Sequence, residues 1–140
     1  MRKKILSIVT ILVLICLISI NLTGCSGNIY ERRMRRANYQ SIEREQNIPY
    51  LFTNEDGTKE IYDVVWRIKG TKFTDDAYYT VTIYRFEDIG HAKKVEKYVQ
   101  EHPTMLTRAI YRMDDLYFEA NSEEALRDVL YIVDITLTDK

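Results

Sequence analysis

Two thiols, two imidazoles and a scatter of carboxylates carry the reactive chemistry of this 140-residue chain. Cys16 lies inside an apolar run, and Cys25 ends the stretch Leu22-Thr23-Gly24-Cys25, where that run gives way to Ser26-Gly27 and polar sequence. A thiolate is a strong soft nucleophile, and the residues before Cys25, Thr23 and Gly24, are slim. His91 and His102 sit at opposite ends of one predicted helix, where a rise of ~1.5 Å per residue keeps them from sharing a metal. A first-turn surface position and a donor to the helix-end carbonyls account for them.

The elements around Cys25 sharpen its reading. Arg2, Lys3 and Lys4 open the chain, no ionisable carboxylate or cation follows until Glu31, and Ile5 to Asn21 is almost wholly apolar. As a helix this run would span roughly 25 Å, close to a bilayer core of about 30 Å. Basic start, apolar run and small residues before a cysteine are the layout of a secretory targeting segment. Leu22, Thr23, Gly24 and Cys25 together resemble the lipobox of bacterial lipoproteins. That resemblance implies a diacylglycerol thioether on Cys25, cleavage between Gly24 and Cys25, an N-acyl chain such as palmitate on the new amino terminus, and a cell-membrane address on the extracytoplasmic side. Two or more acyl chains give stable attachment where one gives only about 10⁴ M⁻¹. The alternative is a single-span protein whose helix stays uncleaved; Arg32, Arg33, Arg35 and Arg36 beyond the run compete with the opening cations under the positive-inside rule. With Cys16 removed and Cys25 acylated, no disulfide would staple the body.

Three segments follow from this: a signal peptide over 1–24, a lipid-anchored tether over 25–48, and one small α+β domain over 49–140. The tether is read from polar sequence without a clean apolar stripe, and its arginines would favour anionic lipid heads by about 1 kcal/mol each near the surface. In the body, Ile61, Val64, Val65 and Ile68 lie at helical spacing while Tyr62, Val64, Trp66 and Ile68 alternate as in a strand; Gly70, a natural helix stop, favours the helix. Tyr78 to Phe86 reads as a strand. A helix follows, capped by Asp88, lined by Ile89, Ala92, Val95 and Val99, and ended near His102 by Pro103. Ala109 to Met113 and Leu116 to Ala120 are strands around an Asp114-Asp115 hairpin. Asn121 with Glu124 has the spacing of a capping box for a helix striped by Ala125, Leu126, Val129, Leu130 and Val133, and Ile135 to Leu137 is a short closing strand. Strand, helix, strand, strand, helix, strand is the order of a ferredoxin-like split βαβ sheet with helices on one face.

Such a sheet would leave Tyr78, Thr80, Thr82, Tyr84 and Tyr117 together on its other face, an amphipathic interaction surface if exposed and ordinary cross-strand pairs if covered. Nucleic acid is excluded as a partner: from Ala37 onward there are 13 basic and 20 acidic residues, net −7, which repels phosphate backbones. Asp75-Asp76, Asp114-Asp115 and Glu123-Glu124 diverge on turns or strands and suit loop and cap duties. Asn54-Glu55-Asp56-Gly57 lacks the later ligands of a calcium loop and reads as a turn. Lys93, Lys94 and Lys97 make a solvated basic face. With no G-x-S-x-G elbow and no glycine-rich phosphate loop, the expectation is a non-enzymatic module without metal or soluble cofactor. It would be held to membrane lipid through Cys25 and bind an envelope protein, with a ligand-binding or sensory accessory domain as the alternative. A hydrolase would need convergent polar groups that the sequence does not assemble.

Overall fold

The computed structural model describes residues 27–131 and 136–137; the lipobox Leu22 to Cys25, the remainder of 1–26, and Val133 and Ile135 lie outside the described residues. The elements are α1 (27–36), β1 (Ser41–Thr53), β2 (Lys59–Phe73), β3 (Tyr78–Phe86), α2 (Ile89–Glu101), β4 (Ala109–Met113), β5 (Leu116–Ala120), α3 (Glu123–Leu130) and the two-residue β6 (Thr136–Leu137). They form an α+β fold on one sheet ordered β1-β2-β3-β5-β4-β6, every neighbouring pair antiparallel.

The strongest local signals appear where the sequence puts them. Asp88 caps α2 through its carboxylate and the Gly90 amide, and His102 ends it. The His102 Nδ1 lies 3.0 Å from the Tyr98 carbonyl, so that nitrogen donates. The cap of α3 is shifted by one residue: Ser122 Oγ accepts from the Ala125 amide at 3.1 Å, while Asn121 ties down the start of β3, donating to the Tyr78 carbonyl at 2.7 Å and accepting from the Thr80 amide at 3.0 Å.

Three expectations are corrected. Residues 61–68 are strand, the middle of β2. Their helical spacing comes from Ile61 and Val65, apolar but exposed, while buried Tyr62, Val64, Trp66 and Ile68 alternate; β2 also slips by one residue between Val64 and Trp66 against β3, and Asn47 takes a left-handed φ of 51° at the matching point of β1. Because side chains alternate faces with period two, an extra residue moves everything beyond it to the other face. Tyr62 and Val64 accordingly pack with α2, while Trp66 and Ile68 pack in the opposite core with α1 and α3.

The tether over 25–48 is also corrected, since 27–36 is α1 and 41–48 is the first half of β1. Tyr30, Met34 and Tyr39 are buried against Trp66, Ile68 and Phe118. Apolar residues four apart put one stripe of a short, arginine-rich helix onto the sheet. Gly70 permits the approach: a Cβ there would lie 2.7 Å from Met34 Sδ and 2.9 Å from Tyr39 Cδ1.

The helices do not share one face. Ala92 and Val95 of α2 pack with Tyr84, Phe86, Ile110 and Tyr117; Ala125, Leu126, Val129 and Leu130 of α3 pack with Val81, Ile83 and Phe118 on the other side. The strand order explains this. In the ferredoxin-like order the last strand returns beside the first, but here β2 already occupies that edge of β3, and β6 pairs with β4 instead. The crossovers β3-α2-β4 and β5-α3-β6 therefore step in the same direction from strands that run in opposite senses. Right-handed connections then require helices on opposite faces.

Candidate functional site

α2 covers only part of its face. Beyond it, period-two alternation brings Arg67 and Lys69 of β2, Tyr78, Thr80, Thr82 and Tyr84 of β3, and Glu119 of β5 around a cavity of about 260 Å³, closed on one side by Leu106 and Thr107 of the loop after α2. Register sets the neighbours: Lys69, Thr82 and Glu119 form one cross-strand row, and Arg67, Tyr84 and Tyr117 the next.

Glu119 is the floor of this site. Burial raises its pKa above the usual carboxylate value, opposed by hydrogen bonding from the tyrosines and by the Arg67 charge. Tyr84 Oη donates to Glu119 Oε1 at 3.2 Å. The Tyr117 hydroxyl lies close enough to help stabilise the carboxylate, although its geometry closes no hydrogen bond. Burial, with the nearby Glu119 charge, pushes both phenols far above their usual range, so they remain donors near neutral pH. Arg67 is held from outside by an ion pair to Glu45. The arrangement can offer a cation pair, threonine hydroxyls and one half-buried proton acceptor to a small polar group. Strongly perturbed groups in a concave site mark functional candidates.

A carboxyl whose pKa is higher in the folded than in the unfolded chain favours folding in its protonated form. That contribution is complete below the unfolded value of about 4.3 and is lost as pH rises through the raised value. Glu119→Gln keeps an oxygen for Tyr84 Oη and cannot ionise. Its urea midpoint is expected to fall less than the parent's as pH rises from about 4 to 7, and parallel curves would remove Glu119 from that role.

The rim of the cavity is apolar. Leu106, 67% exposed, and Tyr78, 44% exposed, line it; Met105, 85% exposed, precedes Leu106 on a turn joined by the Thr104 and Thr107 bridge, and Phe73, 58% exposed, meets the Tyr78 ring at a tilt with centroids 5.0 Å apart. The five residues expected on an interaction face thus share a face, but only in part an exposed one. Tyr78 and Thr80 are accessible, Thr82 and Tyr84 are nearly buried, and Tyr117 is wholly buried. The sequence reading missed Arg67, Lys69, Glu119, Met105 and Leu106. An apolar Met105-Leu106 pair inside a polar, proline-started loop is the one local signal that could have found Leu106.

A larger groove of about 520 Å³ lies between the β1–β2 turn and α2, but its polar groups satisfy one another. Glu60 accepts from Asn54 Nδ2 at 3.0 Å and from Tyr62 Oη at 2.8 Å and pairs with Lys94 at 3.4 Å. Asp56 closes the turn by accepting from the Thr58 amide at 2.9 Å, with Gly57 at φ 83°. His91 stacks on Tyr62 at 4.0 Å, half-buried rather than a surface residue. Among the described residues no group of three or more His, Cys, Asp or Glu is placed to hold a metal, and no helix is long and apolar enough to cross a membrane. Compared with models of known families, with curated proteins and with solved structures, the chain matches none.

Proposed function

We propose that this chain is a small lipoprotein of a bacterial envelope, held by acyl chains on Cys25, whose body binds a protein partner over the rim of the Glu119 cavity without catalysing a reaction. The observation that carries the binding role is that Tyr78 and Leu106, both exposed, line the polar hollow, with exposed Phe73 in ring contact with Tyr78 and exposed Met105 next to Leu106 in the chain. A lone exposed apolar residue is ordinary, whereas two pairs of them beside one hollow give a partner apolar footholds next to polar groups. The anchor is supported by Leu22-Thr23-Gly24-Cys25 directly after the apolar run. Small-molecule capture is the second reading, favoured by the half-buried Glu119 carboxyl; at about 260 Å³ the cavity is below the ~300 Å³ common for ligand sites.

Mass spectrometry of the mature chain beside a Cys25→Ser variant tests the anchor. An acylated peptide beginning at residue 25, absent from the variant, is expected; an intact Met1 peptide in the membrane fraction favours the uncleaved single span instead. For the surface, a photocrosslinker at Met105 in cells should join the chain to one envelope protein that the same group at Lys93, on the exposed side of α2, does not reach. Equal products from both positions would count against a specific rim.

A further inference from the structure

Resting on the proposed anchor, we infer that the arginine face of α1 is a docking site for anionic phospholipid headgroups, which seats the body directly on the bilayer with the Glu119 cavity turned away from it. Two peptide steps separate Cys25 from Gly27, the first described residue of α1, a reach of at most ~7 Å. Acyl chains on that sulfur would therefore leave α1 no room to stand off from the headgroup layer.

The surface that α1 offers there suits that layer. Ile29, Arg32, Arg33 and Arg36 lie along one side of the helix, Arg33 flanking buried Tyr30 with its guanidinium 5.8 Å from that ring, and with Tyr131 they enclose a hollow of about 240 Å³. Arg33 is fixed in place: its Nη1 donates to the Val129 carbonyl at the end of α3 at 2.6 Å, and its guanidinium lies 4.7 Å over the Tyr131 ring. Arg32 makes one long contact with the Asn28 carbonyl, 3.4 Å, and Arg36 has no ion pair among the described residues. Guanidinium forks match phosphate oxygens in pairs. Tyr131, 62% exposed, is the residue type that settles at the bilayer interface.

Charge elsewhere turns this patch into an orienting device. From Ala37 onward the chain carries net −7, so an anionic bilayer repels most of the body and attracts α1. The α1 side of the sheet faces lipid, and the cavity opens on the α2 side, reachable by a partner.

The acylated full chain, extracted from membranes and reconstituted into phosphatidylcholine vesicles with or without phosphatidylglycerol, tests this by amide hydrogen exchange, with α2 as internal reference. Exchange over 27–36 is expected to slow about fivefold or more only when phosphatidylglycerol is present, the factor of one arginine at a charged surface, and Arg32→Gln with Arg36→Gln should erase the difference. Both positions are exposed, so the variant keeps the α1 core contacts. Equal exchange in the two vesicle types with acylated Cys25 overturns the headgroup site and leaves the anchor standing. Slowing reproduced in detergent by inorganic phosphate alone overturns the membrane as its source, and an unmodified Cys25 overturns the anchor and this inference with it.

Discussion

A chain shortened to begin at Pro49 is expected not to fold. Sequence alone places a domain boundary there, yet the cut would remove α1, the turn after it and Ser41 to Ile48; α1 and that turn supply Tyr30, Met34 and Tyr39 to the larger core. Trp66, Ile68 and Phe118, each buried, would lose one wall, and Arg67 to Thr71 of β2 would lose the strand they pair with from Ser41 to Glu45. Burying a large apolar side chain contributes roughly 1.5–3 kcal/mol, so losing three and exposing parts of three more exceeds much of the ~5–15 kcal/mol that holds a typical domain. The uncovered edge of β2 would also invite pairing between copies. Circular dichroism and size-exclusion chromatography of chains beginning at residue 26 and at residue 49 check this: a cooperative monomer is expected from the longer and aggregate or unfolded chain from the shorter. A monomeric, cooperatively melting shorter chain would restore the tether.

Phe118→Ala should lower unfolding free energy by about 3–5 kcal/mol, the range for large aromatic truncations in a core. Phe118 is fully buried on β5 between Ile83 and Tyr111 in the register and meets the Tyr30 ring edge-on at 5.3 Å. It therefore joins the centre of the sheet to α1, and its loss opens a cavity that neighbours on two elements cannot fill together. Tyr30→Ala removes the partner from the other side; the double variant is expected to cost less than the sum of the single ones, because the two share one contact. Denaturant unfolding of the four chains measures this coupling. A Phe118→Ala loss near 1 kcal/mol would mean that α1 closes over the gap.

The recognition surface shows where local signals stop. Tyr78 to Phe86 alternates strongly enough that its strand and its shared face are legible, because β-branched and aromatic residues on one period suit little else. Whether Tyr84 and Tyr117 are covered depends on α2 and β1, which bring Phe52, Val95 and Tyr50 against or beside them from distant positions. Glu119 carries no local signal in sequence beyond its place in a strand, and it becomes the floor of the cavity only because β5 inserts between β3 and β4.

By itself the sequence determined β3, α2, β4, β5 and most of α3, because each rests on residues within a turn or two of one another. Only tertiary structure decided that α1 and β1 belong to the body, that residues 61–68 are strand, and that α2 and α3 lie on opposite faces. Those outcomes depend on burial between distant segments: Met34 gains its partners by meeting Gly70 and Trp66, and the alternation through Tyr62 and Trp66 divides between two cores once β2 bulges against β3. A short polar helix has too little local free energy to declare itself, and strand order is set by which edge remains free when the last strand arrives.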